Sequence, residues 1–348
     1  MRITGKEIAK IAGVSRSTVS RVINQYGNVP DATRRKVLRA VEQYGYVPHA
    51  QARMLAGAEN PVIGLFMVDR KSSTAGRKVS LSGYFSSFLS GTIDHAGEYG
   101  VHVLACTVTS GEEYEGVRRM FLDKTVAGGI FIGEQDETEL EKLARLGCRL
   151  VAVDGRPEVA GAVTVNIDSF GSACAMTRRL LELGHRRVAH IAGPPSQLSG
   201  AERLRGYRQA LADAGVPFAP ELVETGDFMR AGGYEATRAL LSRARPTAVF
   251  FANDSMALGG LKAIEENGLR VPEDISVAGF DDIELAEHLR PALTTVRLPF
   301  WEMSALAVQS LEDLMHGKLG GVCTAQYKLP VQIVERASCA PPKAGAGA

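Results

Sequence analysis

The sequence predicts an α/β protein in which a small N-terminal helix-turn-helix unit precedes a two-lobed core of doubly wound parallel sheets. Two observations lead to this prediction. Short helical stretches joined at Gly13 and Val14 occupy the first 46 residues. From Pro61 onward, apolar runs of strand length alternate with amphipathic helical stretches in two successive series. That alternation is typical of parallel sheets covered by helices.

Three short helices are predicted in residues 1–46. The stretch Thr4-Gly5-Lys6-Glu7 fits a capping box that starts the first helix. Gly13 ends this helix, and Ser15 can cap a second helix over residues 16–24. Asp31 can cap a third helix, whose predicted apolar positions are Val37, Leu38, Val41 and Tyr44.

The charge of the chain is unevenly distributed. Its 40 basic and 39 acidic residues give a net charge of only +1. Residues 1–60 contain ten Lys or Arg and four Asp or Glu, whereas residues 61–348 contain 30 and 35. A basic head on a mildly acidic body indicates a polyanionic partner for the head.

The second helix has the features of a DNA recognition helix. Arg16, Ser17 and Arg21 are hydrogen-bond donors near its start or on its outer face, and the helix contains no acidic residue. Arginine can form two hydrogen bonds with guanine, and serine is short enough for close approach. Two alternatives stay open: Arg21 holds a phosphate, or the three helices simply cap a larger body and their arginines are solvated.

A short segment after the head is either a linker or a helix that forms on DNA. Pro48 can start such a helix and Gly57 can end it, but it is too short to be stable alone. On DNA, Leu55 could act as an apolar wedge in the minor groove.

These segments resemble the headpiece of the lactose-repressor (LacI) family. The resemblance is carried by EIAKIAGVS at 7–15, STVSRVIN at 17–24 and ARMLAG at 52–57. It implies a homodimer, a near-palindromic double-stranded operator and hinge helices whose leucines intercalate. His49 stands where members of the family often carry Asn. The implied DNA-binding residues are Thr4, Ser15, Arg16, Ser17, Thr18, Arg21, Asn24, His49, Ala52 and Leu55.

The core is predicted to contain two similar lobes. The apolar runs of the first series are residues 62–68, 101–106, 129–132 and 150–153, and those of the second are 188–192, 248–252 and 275–279. Ligands of parallel sheets bind beyond the carboxyl ends of the strands, so a cleft between lobes is the expected site.

The core also resembles the effector-binding core of the LacI family, which has the fold of periplasmic sugar-binding proteins. The matching stretches are GHRRVA at 184–189, NDSMALG at 253–259 and VPEDISVAGFDD at 271–282. The resemblance implies that the chain crosses three times between the lobes, and we place these crossings near 155–162, 282–290 and 316–323.

Seven residues are predicted to contact a small effector: Tyr84, Phe85, Asp154, Arg203, Phe228, Asn253 and Asp281. Most match positions of the family pocket, and the acids and Asn253 follow predicted strands. An arginine opposite carboxylates suits a hydroxyl-rich sugar. The alternative for polar residues after strands, including Asp254 and Asp282, is helix capping, and for Phe228 it is core packing.

The predicted organisation is a headpiece at 1–46, a hinge segment at 47–60, a core at 61–336 and a disordered tail at 337–348. Residues 70–81 form a basic loop that binds an anionic effector or is a solvated flap. The five scattered cysteines indicate reduced thiols. Without a signal peptide or an apolar run of spanning length, we expect a cytoplasmic protein that does not contact membranes.

The predicted function is that of a transcriptional regulator, a repressor of a carbohydrate-utilisation operon controlled by a sugar-like effector. We find no Walker A motif, nucleophile elbow, HExxH motif or dinucleotide fingerprint, so we expect no enzyme activity, cofactor or metal site. The alternatives are the same DNA-binding role with a purine, a sugar phosphate or a protein corepressor. A ligand-transport protein and an α/β enzyme are the rivals from other classes.

Overall fold

The computed structural model describes residues 3–23, 27–46, 62–69, 83–156, 159, 161–319 and 324–343. The chain forms two compact units, Met1–Pro61 and Val62–Ala348. The predicted hinge segment and the basic loop at 70–81 lie outside the described residues. No helix of the described part is long and apolar enough to cross a membrane.

The N-terminal unit contains three helices: α1 (Gly5–Ala12), α2 (Arg16–Ile23) and α3 (Asp31–Gln43). The predicted capping box of α1 is present, and Gly13 ends the helix in the left-handed conformation, at φ 65°. Turning the chain so tightly between α1 and α2 favours a residue without a side chain. The helices pack around a common core of Ile8, Ala9, Val19, Val22, Val29, Val37 and Ala40.

Two details of α3 differ from the prediction. Asp31 is its first helical residue rather than its cap, because Pro30 occupies the capping position and forms no side-chain cap. Leu38 and Tyr44 are each 47% exposed, and Ala40 takes the inward position beside Val37. Leu38, one residue after the buried Val37, therefore points away from the core.

The first lobe contains a six-stranded parallel sheet. Its strands are β1 (Val62–Val68), β2 (His102–Val108), β3 (Gly129–Gly133), β4 (Leu150–Val153), β5 (Ala162–Ile167) and β11 (Gln326–Leu329). They lie in the order β11-β5-β4-β3-β1-β2. Alternate residues of β1 point to opposite faces, so Leu65 and Phe66 belong to separate buried clusters.

Helices cover both faces of this sheet. Helices α4 (Gly83–Glu98) and α12 (Phe300–Met315) pack on one face, where Phe88 and Val308 are buried with Leu65. Helices α5 (Gly111–Leu122) and α6 (Glu137–Arg145) pack on the other face with Phe66. Burial on both faces explains why the strand segments read as continuous apolar runs.

The second lobe contains a four-stranded parallel sheet in the order β7-β6-β8-β9. The strands are β6 (Val188–Ala192), β7 (Val223–Thr225), β8 (Ala248–Phe251) and β9 (Ser276–Ala278). The helices of this lobe are α7 (Ser169–Glu182), α8 (Leu198–Asp213), α9 (Arg230–Arg243), α10 (Asp254–Glu266) and α11 (Leu285–His288). Two neighbouring residues of β8, Phe250 and Phe251, point to opposite faces and are buried in different clusters.

The three crossings between the lobes lie elsewhere than expected. The predicted first crossing, 155–162, is wrong because β5 pairs with β4 in the first sheet, so the chain leaves only after Ile167. It returns between β10 (Thr295–Arg297) and α12, rather than at 282–290, because α11 packs on the second lobe. The last crossing lies between β11 and β12 (Gln332–Val334), rather than at 316–323, because β11 still pairs with β5 in the first sheet whereas β12 pairs with β10.

The predicted disorder from residue 337 is wrong for residues 337–343. Ser338 is fully buried, its Oγ donates to the carbonyl oxygen of Val277 at 2.6 Å, and it accepts from the Thr294 amide at 2.8 Å. The Val277 amide donates to the Ser338 carbonyl oxygen at 2.8 Å. Residues 337–343 thus provide hydrogen-bond partners for backbone groups of β9 that would otherwise be unpaired. The low-complexity composition of the tail did not reveal this pairing.

Candidate functional site

The outer face of α2 carries the residues predicted to read DNA. Arg16, Ser17 and Arg21 are exposed, while Val19 and Val22 of the same helix are buried. The helix contains no acid. The structure therefore presents two guanidinium groups on a helix face that the core holds in place.

Small polar residues fix the starts of the first two helices in this unit. Ser15 Oγ accepts from the Thr18 amide at 3.1 Å and lies 2.7 Å from Ser17 Oγ and 2.8 Å from Thr18 Oγ1. Thr4 Oγ1 donates to Glu7 at 2.8 Å. Thr4 and Ser15 thus act as caps in this structure. Four further predicted DNA-binding residues lie outside the described residues: Asn24, His49, Ala52 and Leu55.

The second predicted site is a cleft between the two lobes of the core. The structure brings together all seven residues predicted to contact an effector, and all of them line this cleft: Tyr84, Phe85, Asp154, Arg203, Phe228, Asn253 and Asp281. They come from both lobes and are separated by up to nearly 200 positions in the sequence.

The carboxyl ends of parallel strands position most of these side chains. Asp154 follows β4, and Asn253 and Asp281 lie just beyond β8 and β9. Asp154, Phe228 and Asp281 have positive φ values of 56°, 63° and 119°. Such backbone conformations are costly for residues with a side chain and concentrate at ligand sites.

Arg203 lies at the buried end of the cleft, on α8. Its Nη1 donates to the carbonyl oxygen of Ala252 at 2.5 Å and lies 3.7 Å from Asp281 Oδ1. The guanidinium carbon stands 3.7 Å from the ring centroid of Phe280 and 5.8 Å from that of Phe228. Aromatic rings thus fix the plane of the guanidinium.

Several buried polar atoms in this cleft have no hydrogen-bond partner. They are Tyr84 Oη, Arg203 Nε and Asp281 Oδ1. Buried polar groups normally find partners, so unsatisfied atoms at a cavity indicate a polar ligand.

Burial also perturbs the acids of the cleft. Burial raises the pKa of Asp281 well above its usual range; Arg203 opposes this effect, while Asp254 and Asp154 add to it. The pKa of Asp154 is also raised by burial, against Arg203 and a hydrogen bond from Ser199. Perturbed acids in a cleft are typical of functional sites.

Asn253, one of the predicted residues, and its polar neighbours Asp254 and Asp282 have structural roles. Asn253 caps α10, because its Oδ1 accepts from the Met256 amide at 2.9 Å, yet it also lines the cleft. Asp254 accepts from Thr295 Oγ1 at 2.6 Å, and its burial raises its pKa to about 7. Asp282 binds Arg297 and Arg336, each at 2.6 Å. Asp254 and Asp282 therefore hold the turn that positions Asp281.

The sequence analysis missed eight residues that line the cleft: Val68, Asp69, Gly133, Glu134, Gln197, Ser199, Asp227 and Met229. Asp69, Glu134 and Asp227 each lie just beyond a strand, so the strand-end signal that identified Asp154 applies to them too. Gln197 and Ser199 stand at the start of α8 and carry no such signal.

Comparison with known proteins identifies both units. A model described as "Bacterial regulatory proteins, lacI family" matches residues 4–49, and one described as "Periplasmic binding protein-like domain" matches residues 177–339. The HTH-type transcriptional regulator CelR of Thermobifida fusca is 36% identical over 91% of this chain and 93% of its own length. The chain belongs to the lacI family of bacterial regulatory proteins.

Other relatives and solved structures agree with this assignment. Two further relatives are each 34% identical to this chain: the PurR repressor of Aliivibrio fischeri strain MJ11 and the ribose operon repressor of Escherichia coli K12. The PurR alignment covers 90% of this chain and the ribose repressor alignment 88%, and each covers 92% of the relative's own length. A complex of CelR with cellobiose covers 97% of this chain and all of its own, at 34% identity and a TM-score of 0.74. A lac repressor dimer bound to operator and an anti-inducer covers 98% and 100%, at 29% identity and a TM-score of 0.81.

The function of this lacI-family protein is therefore DNA-binding transcriptional regulation. Its curated relatives are transcriptional regulators and not enzymes, so that expectation is confirmed. The predicted fold, a helix-turn-helix unit followed by a two-lobed parallel-sheet core, is confirmed as well.

Proposed function

We propose that this lacI-family regulator is a cytoplasmic homodimer that represses carbohydrate-utilisation genes from a near-palindromic operator. A sugar-like effector in the cleft controls its affinity for that operator. The observation that carries the proposal is the cleft itself, where Arg203, Asp281 and Tyr84 bring buried, unpartnered polar atoms from two lobes into one cavity. A hydroxyl-rich ligand offers both donors and acceptors to such atoms.

The DNA-binding half of the proposal rests on α2. Arg16 and Arg21 contact base edges or phosphates, and Ser17 approaches the groove closely. Leu55 and its neighbours provide the intercalating hinge, as the resemblance to the family implies. A dimer would place two copies of α2 on two half-sites, which explains the expected symmetry of the operator.

Control by an effector requires two lobe arrangements that bind it with different affinities. The lobes already touch across the cleft, where Ser196 Oγ and Gln197 Nε2 donate to Glu134 at 3.0 and 3.4 Å. A ligand that fills the cleft shifts the population toward one arrangement. A 100-fold preference for that arrangement supplies about 2.7 kcal/mol of coupling to operator affinity.

The test begins with an operator selected from random duplex DNA by the purified full chain. Fluorescence anisotropy then measures the affinity for this operator with and without each of a panel of sugars, sugar phosphates and purines. We expect one sugar to change operator affinity at least tenfold. A purine or sugar phosphate as the sole active compound would contradict the sugar proposal, and so would an inactive panel with protein that binds its operator.

A further inference from the structure

The two lobes of the core are in direct contact beside the cleft. Glu134 of the first lobe accepts hydrogen bonds from Ser196 and Gln197 of the second. Gly83, at the start of α4 in the first lobe, lies so close to the second lobe that a Cβ atom on it would be 2.8 Å from Ile283 Cγ2. Both contacts are made by protein atoms alone, so they are available whether or not the cleft is occupied. We call the arrangement with these contacts the closed arrangement.

The backbone of the first lobe fixes the position of Glu134. This residue directly follows β3, and its amide donates to the carbonyl oxygen of Val68, at the end of β1, at 3.0 Å. Gly133 before it has a φ of 103°, and a Cβ atom there would lie 2.3 Å from the same carbonyl oxygen. Glycine is therefore required for the turn that brings Glu134 to the second lobe.

The start of α8 fixes the two donors in the second lobe. Gln197 is the capping residue of α8; its amide donates to the Pro194 carbonyl oxygen at 3.1 Å, and its own carbonyl oxygen accepts from the Ala201 amide at 3.0 Å. Ser196 Oγ donates to Glu134 Oε1 at 3.0 Å, whereas Gln197 Nε2 lies 3.4 Å from Glu134 Oε2. The second distance is long for a hydrogen bond, so Ser196 provides most of the attraction between the lobes.

A neighbouring carboxylate provides a comparison. Glu137, on α6, forms an ion pair with Arg156 at 2.7 Å, and the side chains of this pair are about half exposed. Both residues line the same part of the cleft as Glu134 and Ser196. Because Glu137 and Arg156 both belong to the first lobe, their ion pair cannot hold the lobes together.

We infer that Glu134 and Ser196 form a clasp that favours the closed arrangement of the lobes before any effector binds. A carboxylate accepts a stronger hydrogen bond than a neutral oxygen does, and partial exposure to solvent moderates its strength. The clasp therefore biases an equilibrium between two lobe arrangements without preventing the lobes from separating. Its regulatory consequence rests on the proposed function: where lobe arrangement controls operator affinity, the clasp sets the affinity of the effector-free regulator.

Hydroxyl-radical footprinting of the full chain, with no ligand added, tests the clasp. The radicals modify aromatic side chains according to their access to solvent, and Tyr84, Phe85 and Phe228 line the cleft from the two lobes. Glu134→Ala should increase the modification of these three residues by about twofold or more, because the open arrangement becomes more populated. Ser196→Ala should reproduce most of this increase. The double variant should add little to either single variant, since both remove the same contact.

Two further variants separate the clasp from a general effect of removing a carboxylate. Glu137→Ala breaks the ion pair within the first lobe and should leave the cleft aromatics at the parent level. Glu134→Gln keeps an oxygen that can accept from Ser196 and should retain most of the closure. Phe131, which is fully buried in β3, is the internal reference. If Glu134→Ala also exposes Phe131 through local unfolding, the comparison of Ser196→Ala with Glu137→Ala decides.

The outcomes distinguish the clasp from the proposed function. Parent-level modification of the cleft aromatics in Glu134→Ala and Ser196→Ala would overturn the clasp, and so would an equal increase in Glu137→Ala. Operator anisotropy without effector then measures the regulatory consequence, and the affinity of Glu134→Ala should differ from that of the parent by about threefold or more. An opened cleft with unchanged operator affinity would leave the clasp in place and contradict control of the operator by lobe arrangement.

Discussion

Arg203 Nη1 and Asp281 Oδ1 lie 3.7 Å apart in the interior of the ligand cleft, close enough for charge attraction but too far for a hydrogen bond. Both residues are almost fully buried, at 3% and 2% exposure. Arg203 donates instead to Ala252, and Asp281 Oδ1 has no partner. The surrounding contacts thus fix the positions of both side chains but leave Asp281 Oδ1 without a hydrogen bond. Two adjacent hydroxyl groups of a sugar can form hydrogen bonds with both residues.

Arg203→Lys is expected to weaken effector binding while operator binding persists. Lysine keeps the positive charge but loses the planar fork and its stacking on Phe280. Loss of one or more charged hydrogen bonds corresponds to a decrease in affinity of about 10- to 150-fold. Calorimetry with the sugar found active in the operator assay measures the effect, and operator anisotropy should show a regulator that no longer responds to that sugar.

A matched control for this substitution lies on the same helix. Arg205→Lys changes an arginine whose side chain is mostly exposed and pairs with Glu202 at 2.9 Å. It should leave effector affinity unchanged. Equal losses in Arg203→Lys and Arg205→Lys would show that α8 tolerates neither substitution, and the assignment of Arg203 as a ligand contact would be withdrawn.

Arg16→Ala is expected to relax base preference within each half-site of the operator. A guanidinium that forms two hydrogen bonds with guanine contributes about 1–3 kcal/mol of discrimination. The measurement is anisotropy against the selected operator and single-base variants of it at fixed salt. Arg39→Ala, an exposed arginine on α3, is the control. A uniform loss across all sequences would instead identify Arg16 as a phosphate contact.

The sequence predicts a strand well where burial alone determines it. The predicted bounds of β1, β4 and β6 equal those observed, because each is a run of almost entirely buried, mostly apolar residues covered on both faces. By contrast, five strands were not predicted: β5, β7, β10, β11 and β12. The apolar strand β5 was missed because residues 155–162 were assigned to a crossing between the lobes. The sequences of β11 and β12, QYKL and QIV, carry little apolar signal, and their pairing depends on strands that are distant in the sequence. The misplaced lobe crossings follow from the same non-local pairing.

The cleft was predictable where it depends on strand ends. Asp154 and Asp281 follow apolar runs, so the parallel-sheet rule locates them without a structure. Gln197 and Ser199 were not predictable in this way. They line the cleft because α8 begins there, and no sequence pattern shows which helix start faces a cavity.

Truncation after Arg336 is expected to destabilise the second lobe. The removed residues include Ser338, which joins Val277 to Thr294 through its hydroxyl group. Ser338→Ala alone should lower the free energy of unfolding by about 1–3 kcal/mol, because it leaves buried backbone groups unpaired. Urea unfolding of the truncated chain measures the larger effect. Truncation after Lys343 is the length control, and equal stability of the two truncations would contradict the role given to residues 337–343.

His190 is expected to make the core less stable in acid. Its ring is buried between Tyr207 and Phe250, with centroids 5.0 and 4.9 Å away, and its Nδ1 donates to the Phe250 carbonyl oxygen at 2.9 Å. Burial lowers its pKa to about 4 from the ordinary value of 6.5. Between these two values the unfolded chain binds a proton that the folded chain excludes, so stability falls as the pH decreases.

His190→Gln should remove this part of the pH dependence. Glutamine keeps a hydrogen-bond donor near Phe250 but does not titrate. The free energy of unfolding of the parent should fall from pH 6.5 to pH 4 by about 3 kcal/mol more than that of the variant. Urea unfolding followed by circular dichroism across this range gives both curves, and the difference between them cancels contributions of the other acids, including Asp254. His288→Gln, at the exposed end of α11, should keep the parent's pH dependence; if His190→Gln keeps it too, the buried imidazole is not the group that titrates on unfolding.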